Sequence, residues 1–501
     1  MRRLAVIMTC GAILFGSHAF AQENVSQKMT IQAGYGTVTM GGVQWQRFSF
    51  RPDIPIGNFG VGLDIELFID NEGKISDEGW NFSNKNQVWD SILRKIYYVR
   101  YGKPFDRFYA RAGALDNVTL GYGLIMDGYR NTLNYPADKK LGVDIALRDI
   151  GTFGIDFHAM MNSVGDLKND GAVVGGRVAA KPLKSLNMPL LSKLTFGATF
   201  VSDINQFAGL KDTDDDGVPD FQDGFPDDKK RYADFDKDGY EDSMDIDSDG
   251  DNKLDSKHGG TDTDVPTDND YFNISEDKDG ISVAGLDVGI PLVENPFRLD
   301  LYGQYSQINT GNDNLKGGWG TGAPGLRLLA GRFLGQIEYR HFEGRFKPNY
   351  FDNLYEHERV TLIGNTVRTK ENALGSDTLN GVFGRLSYNF FEMVSAGASY
   401  QTMSGDKSYQ DLTGNVEILK LVLDRVPKIS LVEGYFYNRY VEKSSDLFKM
   451  TQNTLYGTRI GFEVTPGMII VWDTRYMFTP NAKGGYDKNR FVGIETVMSV
   501  K

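Results

Sequence analysis

Cysteine is almost missing from this chain: its 501 residues hold only Cys10. That residue lies in a leader where Arg2 and Arg3 precede an apolar run from Leu4 to Phe15, followed by the small-residue pattern Ala19-Phe20-Ala21. The order basic, apolar, small predicts a secretory signal peptide over 1–21, removed on export. No lipobox precedes Cys10, so cleavage is expected to leave a mature chain without a disulfide, a thiolate metal site or a cysteine nucleophile. Long hydrophobic runs are lacking too, since the leader's apolar stretch falls short of the ~20 residues that a helix needs to cross a bilayer. Histidine is scarce, and His158, His258, His341 and His357 lie in no recognisable nucleophile motif. Together these absences argue against an enzyme.

What the chain has is glycine, aromatics and alternation. Gly numbers 58, Tyr 25 and Phe 31, against 16 Pro, and no helix-like heptad recurs. Ile470, Trp472, Thr474, Tyr476 and Phe478 share one parity while Asp473 and Arg475 take the other. In the segment before it, Tyr456, Thr458, Ile460, Phe462 and Val464 oppose Arg459 and Glu463, with Thr465-Pro466-Gly467 as a tight turn between the two. The same rule sets Phe297, Leu299 and Leu301 against Arg298 and Asp300, and Ile337 and Tyr339 against Glu338 and Arg340. Period-two patterning to the end of the chain predicts an all-β protein. A soluble sandwich would alternate as well. Strands of about ten residues, with aromatics towards their ends, favour instead a transmembrane antiparallel β-barrel of about 18–20 strands. The mean hydropathy of -0.36 is compatible with that, because a barrel shows lipid only every second residue.

Topology adds a test. Working back from Lys501, the stretches 479–490, 441–452, 404–412, 344–377, 309–323 and 203–280 fall on the outer side, and short turns such as Gly102-Lys103-Pro104 on the other. The region 116–140 keeps this order only if Gly121-Tyr122-Gly123 and its neighbours form a loop or lumen insert. The expected organisation is a signal peptide (1–21), a first part of the barrel (22–202), an acidic insert (203–280) and a second part of the barrel (281–501).

The formal net charge of -13 is a local property. Residues 211–280 hold 25 Asp and Glu against 8 Lys and Arg, and the rest of the chain is slightly basic. Such an insert attracts cations and repels nucleic acid, so no nucleic-acid partner is expected. From Asp212 the sequence reads D-T-D-D-D-G-V-P-D-F-Q-D, placing Asp212, Asp214, Asp216, Asp220 and Asp223 at positions 1, 3, 5, 9 and 12 with Gly217 at position 6. The pattern returns as Asp234, Asp236, Asp238, Asp242 and Asp245 with Gly239. A weaker copy has Asp247, Asp249, Asp251 and Asp255, with Asn252 for the glycine and His258 at position 12. Beyond it the register decays into Asp262, Asp264, Asp268 and Asp270. Alternate carboxylates on a tight loop with a glycine at the bend suit Ca²⁺, a hard cation that takes six to eight oxygens. The alternative is a solvated acidic linker.

These loops lack the flanking helices of an EF-hand, since Gly224-Phe225-Pro226 blocks an exiting helix. Residues 212 to about 258 resemble thrombospondin type 3 repeats, a likeness that implies tandem aspartate loops wrapped around several calcium ions as a rigid spacer or head. The remainder resembles Gram-negative outer-membrane barrels in general. An N-terminal plug is not expected, because strands begin near Lys28. That likeness implies contact with outer-membrane lipid and, at this strand number, a lumen wide enough for water. Candidate lumen residues are Arg298, Asp300, Glu338, Arg340, Arg385, Arg459, Asp473 and Arg475, although opposite charges there can also simply pair across strands. Two functions remain open: a channel or transporter for small solutes, and a surface anchor whose calcium insert contacts an extracellular partner.

Overall fold

A strand turns successive side chains to opposite faces, so segments that alternate apolar with polar residues satisfy their backbones by pairing sideways. The computed structural model describes residues 30–500 except 41–42, 71, 77–79, 81–87, 89–90, 93, 134–138, 169–170, 187, 227, 264–266, 268–270, 312–314, 364–365, 392, 424–425, 427, 452, 466–467 and 481–485. The expected signal peptide with Cys10, the turn residues Pro466 and Gly467, and Asp264, Asp268 and Asp270 lie outside the described residues.

One antiparallel sheet of 21 segments dominates the fold. Two of them, Phe59–Leu63 and Ile65–Ile69, flank Asp64 along the same partner strand and are counted here as one. The strands are then β1 (Thr30–Met40), β2 (Val43–Ile56), β3 (Phe59–Leu63 with Ile65–Ile69), β4 (Ile96–Tyr101), β5 (Phe108–Gly113), β6 (Gly142–Ile150), β7 (Ile155–Met161), β8 (Val173–Ala180), β9 (Thr195–Asp203) and β10 (Ile281–Val293). They continue as β11 (Arg298–Thr310), β12 (Gly318–Ala330), β13 (Phe333–Gly344), β14 (Leu379–Phe390), β15 (Val394–Gly405), β16 (Tyr409–Ile418), β17 (Ile429–Val441), β18 (Thr454–Thr465), β19 (Met468–Pro480) and β20 (Tyr486–Val500). Each pairs with its sequence neighbours, and Ile31–Thr37 of β1 also pairs with Ile494–Val500 of β20, so the run of pairings returns to its start.

Connection lengths alternate as expected. The long ones, 70–95, 114–141, 204–280 and 345–378, all leave the same end of the ring, while the longest at the other end is 181–194. The described residues of 114–141 stay out of the ladder, as the parity argument required.

The two faces differ in chemistry. Along β11 the buried side chains are Asp300, Tyr302, Gln304, Ser306 and Ile308, while Leu301 and Tyr305 face outward. Along β13, Gln336, Glu338, Arg340 and Phe342 point inward, and Ile337 and Tyr339 are 54% and 44% exposed. Leu286, Val382 and Leu386 extend this apolar outer surface.

Among the described residues, side chains of two inward segments fill part of the interior. Leu115, Val118, Leu120, Leu124, Ile125, Met126 and Tyr129 of the 114–132 segment are buried together with Phe346, Tyr350, Phe351 and Tyr355 of the loop after β13. The same cluster takes in Met160, Val201, Ile281, Ile308, Phe342 and Met403 from the inner wall. The stretch 344–377, read from sequence as an outer loop, therefore starts at that end, but its described residues around Phe346–Tyr355 fold inward. Its apolar and aromatic side chains gain more from burial against 114–132 than from water.

Candidate functional site

Inside the ring the two inward segments are joined by backbone and side-chain bonds. Asn349 and Phe351 donate their N–H groups to Leu124 O (2.8 Å) and Ile125 O (3.2 Å), and Met126–Asp127 pairs in parallel with Phe351–Asp352. Tyr129 donates to Glu356, whose carboxylate also holds Lys140 at 2.7 Å and Asn162 at 3.1 Å. Burial pushes the Glu356 carboxyl up, but Lys140 and Arg359 outweigh it and hold the group down to about 2. Towards the wall, the Tyr122 ring stacks on Tyr302, with centroids 4.0 Å apart. Gly289 makes that approach feasible, because a Cβ there would lie 1.8 Å from the Tyr122 hydroxyl.

Each lumen candidate has a partner, and most partners are local. Arg298 donates to Asp300 at 2.9 Å and Arg475 to Asp473 at 3.1 Å, both between same-parity residues of one strand. Glu338 accepts from Arg340 (2.6 Å), Tyr302 (2.8 Å) and Gln304 (2.9 Å). Arg459 crosses to Glu433 at 2.8 Å. Arg385 instead reaches off the wall to Asp127 of the 114–132 segment. Beside the inward segments lies a cavity with about 920 Å³ of atom-free space, part of it continuous with solvent. Arg340, Lys347, Arg385 and Arg439 line it together with Asp127, Asp352 and Asp411, and Tyr409, Tyr437 and Tyr440 supply rings. His158 sits in the middle of β7, 2.6 Å from Asp144.

Sequence reasoning missed the ionic joint where the strands meet the long loops. Arg359 and Asp203, both without side-chain exposure, bond twice, at 2.6 and 2.7 Å, and Tyr355 donates to the same carboxylate at 2.7 Å. The available signal was the density of Tyr, Phe, Glu and Arg over 350–359, unusual for a solvated loop.

In the acidic insert three loops repeat one geometry. The position-6 N–H groups of Gly217, Gly239 and Asn252 donate to the position-1 carboxylates of Asp212, Asp234 and Asp247 at 3.0, 3.1 and 2.9 Å. The position-5 N–H groups of Asp216, Asp238 and Asp251 donate to Asp214, Asp236 and Asp249, each at 3.1 Å. Position 6 has a positive φ in all three, 102°, 95° and 68°, which explains why Asn252 can replace glycine. The copy that looked weakest in sequence is thus built like the others.

Positions 1, 3 and 5 of each loop come together, with one oxygen per carboxylate all within 4.8 Å of one another. Position 9 does not join them in the same way, since Asp220, Asp242 and Asp255 accept the position-2 N–H groups of Thr213, Phe235 and Ser248 at 2.7, 2.9 and 3.3 Å. Position 12 stays within electrostatic reach: burial, then the charges of Asp216 and Asp214, push the Asp223 carboxyl up to about 6. Asp245 acts on Asp236 in the same sense. Burial and the neighbouring Asp216 likewise push Asp214 up to about 6. Among the described residues, Asp212 Oδ1, Asp214 Oδ2, Asp216 Oδ2, Asp234 Oδ1 and Asp247 Oδ1 are buried and accept no hydrogen bond. Buried oxygens left unsatisfied are costly, and a cation would satisfy them.

No protein-family model matches the chain, and no curated protein does. Solved structures similar to it include CdiB from Acinetobacter baumannii (7% identity, TM-score 0.26), of which the match covers 60% against 95% of this chain. Pseudomonas aeruginosa OccK5 (OpdH) is similar at 8% identity and a TM-score of 0.33, over 94% of this chain and 97% of that one. Wzi of Escherichia coli, described as an outer-membrane, carbohydrate-binding β-barrel involved in group 1 capsule assembly, is similar at 10% identity and a TM-score of 0.30, over 94% and 84%.

Proposed function

We propose that the ring of strands is a closed barrel in the outer membrane of a Gram-negative-type bacterium, that it passes small polar solutes, and that calcium stabilises its insert on the cell exterior. The observation that carries this reading is the division of faces: Leu286, Ile337, Tyr339, Val382 and Leu386 outward, Glu338, Arg340, Arg385 and Asp300 inward. A lipid-facing surface needs the first set and an aqueous route the second. The cavity lining carries four cations against three anions, which suits solutes of low net charge that bond through hydroxyl or amide groups. Asp212, Asp214 and Asp216, Asp234, Asp236 and Asp238, and Asp247, Asp249 and Asp251 would hold the calcium ions, whose role is to cancel repulsion among these carboxylates.

Single-channel recording of the refolded protein in a planar bilayer tests the transport part. Stable conductance steps are expected. A silent bilayer, with the strands shown to be folded, would favour a surface-anchored contact protein instead. One feature speaks for that second reading: Phe235, Tyr240, Met244 and Ile246 on the insert are each more than half exposed.

A further inference from the structure

The feet of the insert do not simply join β9 to β10; they are built into the inward segments. A line of buried bonds starts in the first aspartate loop itself. Gly217, the position-6 residue, accepts the Ile274 N–H at 2.8 Å. The Ile274 carbonyl accepts Asn205 Nδ2 at 2.7 Å, and the Asn205 carbonyl accepts Arg359 Nη2 at 2.9 Å. From Arg359 the path enters the loop after β13 through the Asp203 and Tyr355 bonds already described. Two side branches run parallel to it: Tyr350 donates to Gln206 at 3.0 Å, and Thr369 donates to Asp279 at 3.0 Å. Asn205, Gln206, Asp203, Arg359, Tyr350 and Tyr355 are all fully buried.

We propose that the insert is a calcium sensor for the interior of the ring: filling of the first aspartate loop latches residues 345–359, and through them the 114–132 segment, in the closed position. This rests on the calcium reading of the loops. Without a cation, Asp212, Asp214 and Asp216 repel one another across less than 5 Å, and the tight bend through Asp215 and Gly217, at φ of 60° and 102°, loses what holds it. The Gly217 carbonyl then ceases to be a fixed acceptor for Ile274. Water cannot replace the bond cheaply, because Ile274 and Asn205 are buried, so the disturbance passes on to Asn205 and Arg359 instead of being absorbed at the surface. The elements biased at the far end are the bonds of Asn349 and Phe351 to Leu124 and Ile125. Coupling of this kind is reciprocal, so undocking of the inward segments must weaken calcium binding by the same factor that calcium removal favours undocking.

The test is hydrogen exchange on the full-length protein in detergent micelles, read in peptides covering 345–356, first in millimolar calcium and then in chelator. We expect exchange at least tenfold faster in chelator. In an Asn205→Ala variant, calcium should still slow exchange in the aspartate loops while its effect on 345–356 falls below twofold. If the loops respond to calcium and 345–356 exchanges equally in both conditions, the latch is wrong although calcium binding stands. If the loops themselves show no response, the calcium reading fails and the latch with it. The wild-type comparison decides between these outcomes even if the variant does not fold.

Discussion

Replacing Arg359 by methionine should undock the inward segments while leaving the ring of strands intact. Arg359 and Asp203 have no side-chain exposure, and the pair is joined by bonds of 2.6 and 2.7 Å. Removing the guanidinium leaves a buried carboxylate that keeps its bonds from Tyr355 and the Asn205 N–H but loses its charge partner. Loss of one member of such a pair costs about 3–5 kcal/mol, because the remaining charge is neither paired nor hydrated. The cost falls on the contact of the 345–374 segment with the wall, since the ladder bonds of β9 do not involve Arg359. Converted at ~1.4 kcal/mol per tenfold, the open population of that segment rises by roughly two to three and a half powers of ten. Trypsin reads this directly, because Arg345 and Lys370 are in the segment and Lys370 is 3% exposed when it is docked. Where opening is fast compared with cleavage, the cutting rate follows the open population. Cleavage after these residues should accelerate by about two orders of magnitude or more, with the ring still resistant. Adding Asp203→Asn removes the orphaned charge yet keeps an acceptor for Tyr355 and Asn205, so the double variant should be cut more slowly than Arg359→Met alone. Wild-type cleavage in the single variant, or a double variant cut faster than the single, would refute the reasoning.

Further outcomes follow from the same physics. Asp214→Ala with Asp236→Ala should abolish calcium-dependent protease resistance of residues 203–280 and leave the ring heat-stable; unchanged resistance would sink the loop assignment. Asp214 and Asp223 are pushed up to about 6 from the ordinary 3.8, so the folded metal-free insert binds more protons than the unfolded chain between those values. Its stability is therefore greatest below pH about 4 and is lost as pH rises through about 6, whereas calcium affinity should change the other way, falling as protons compete below about 6. Exchange rates corrected for intrinsic pH dependence, in chelator and in calcium, would expose the opposite slopes. Leu286→Arg, at a side chain 63% exposed on the outer face, should cost about 2–4 kcal/mol of folding stability in lipid vesicles if β10 faces the membrane core there, and almost nothing if that face meets water.

Much of this was legible in the sequence, for a reason that can be stated. Alternation is a property of neighbouring residues, so Arg298 and Asp300, or Glu338 and Arg340, announce their shared face without knowledge of the partner strand. Loop register is local too, which is why Asp212 to Asp216 and Asp234 to Asp238 could be aligned before any geometry was known. Asn252, standing where glycine is the usual residue at positive φ, and His258 at position 12 made the third copy look weaker than it is built. What the sequence withheld depends on distant meetings. Whether 345–378 lies outside or folds inward turns on Leu124 and Ile125, more than 200 residues earlier, and the Arg359 partner Asp203 stands 156 positions away. Nothing in the spacing of either stretch encodes that pairing.

The join between β1 and β20 also bears on assembly. Ile31–Thr37 cannot find Ile494–Val500 until the whole chain has been delivered, so the sheet exists for a time with two bare margins, each offering unpaired N–H and C=O groups. Order of events, and not only final contact energy, is thus fixed by where the seam falls: a chain shortened before Tyr486 would keep an open edge, and its natural fate would be pairing with a second molecule.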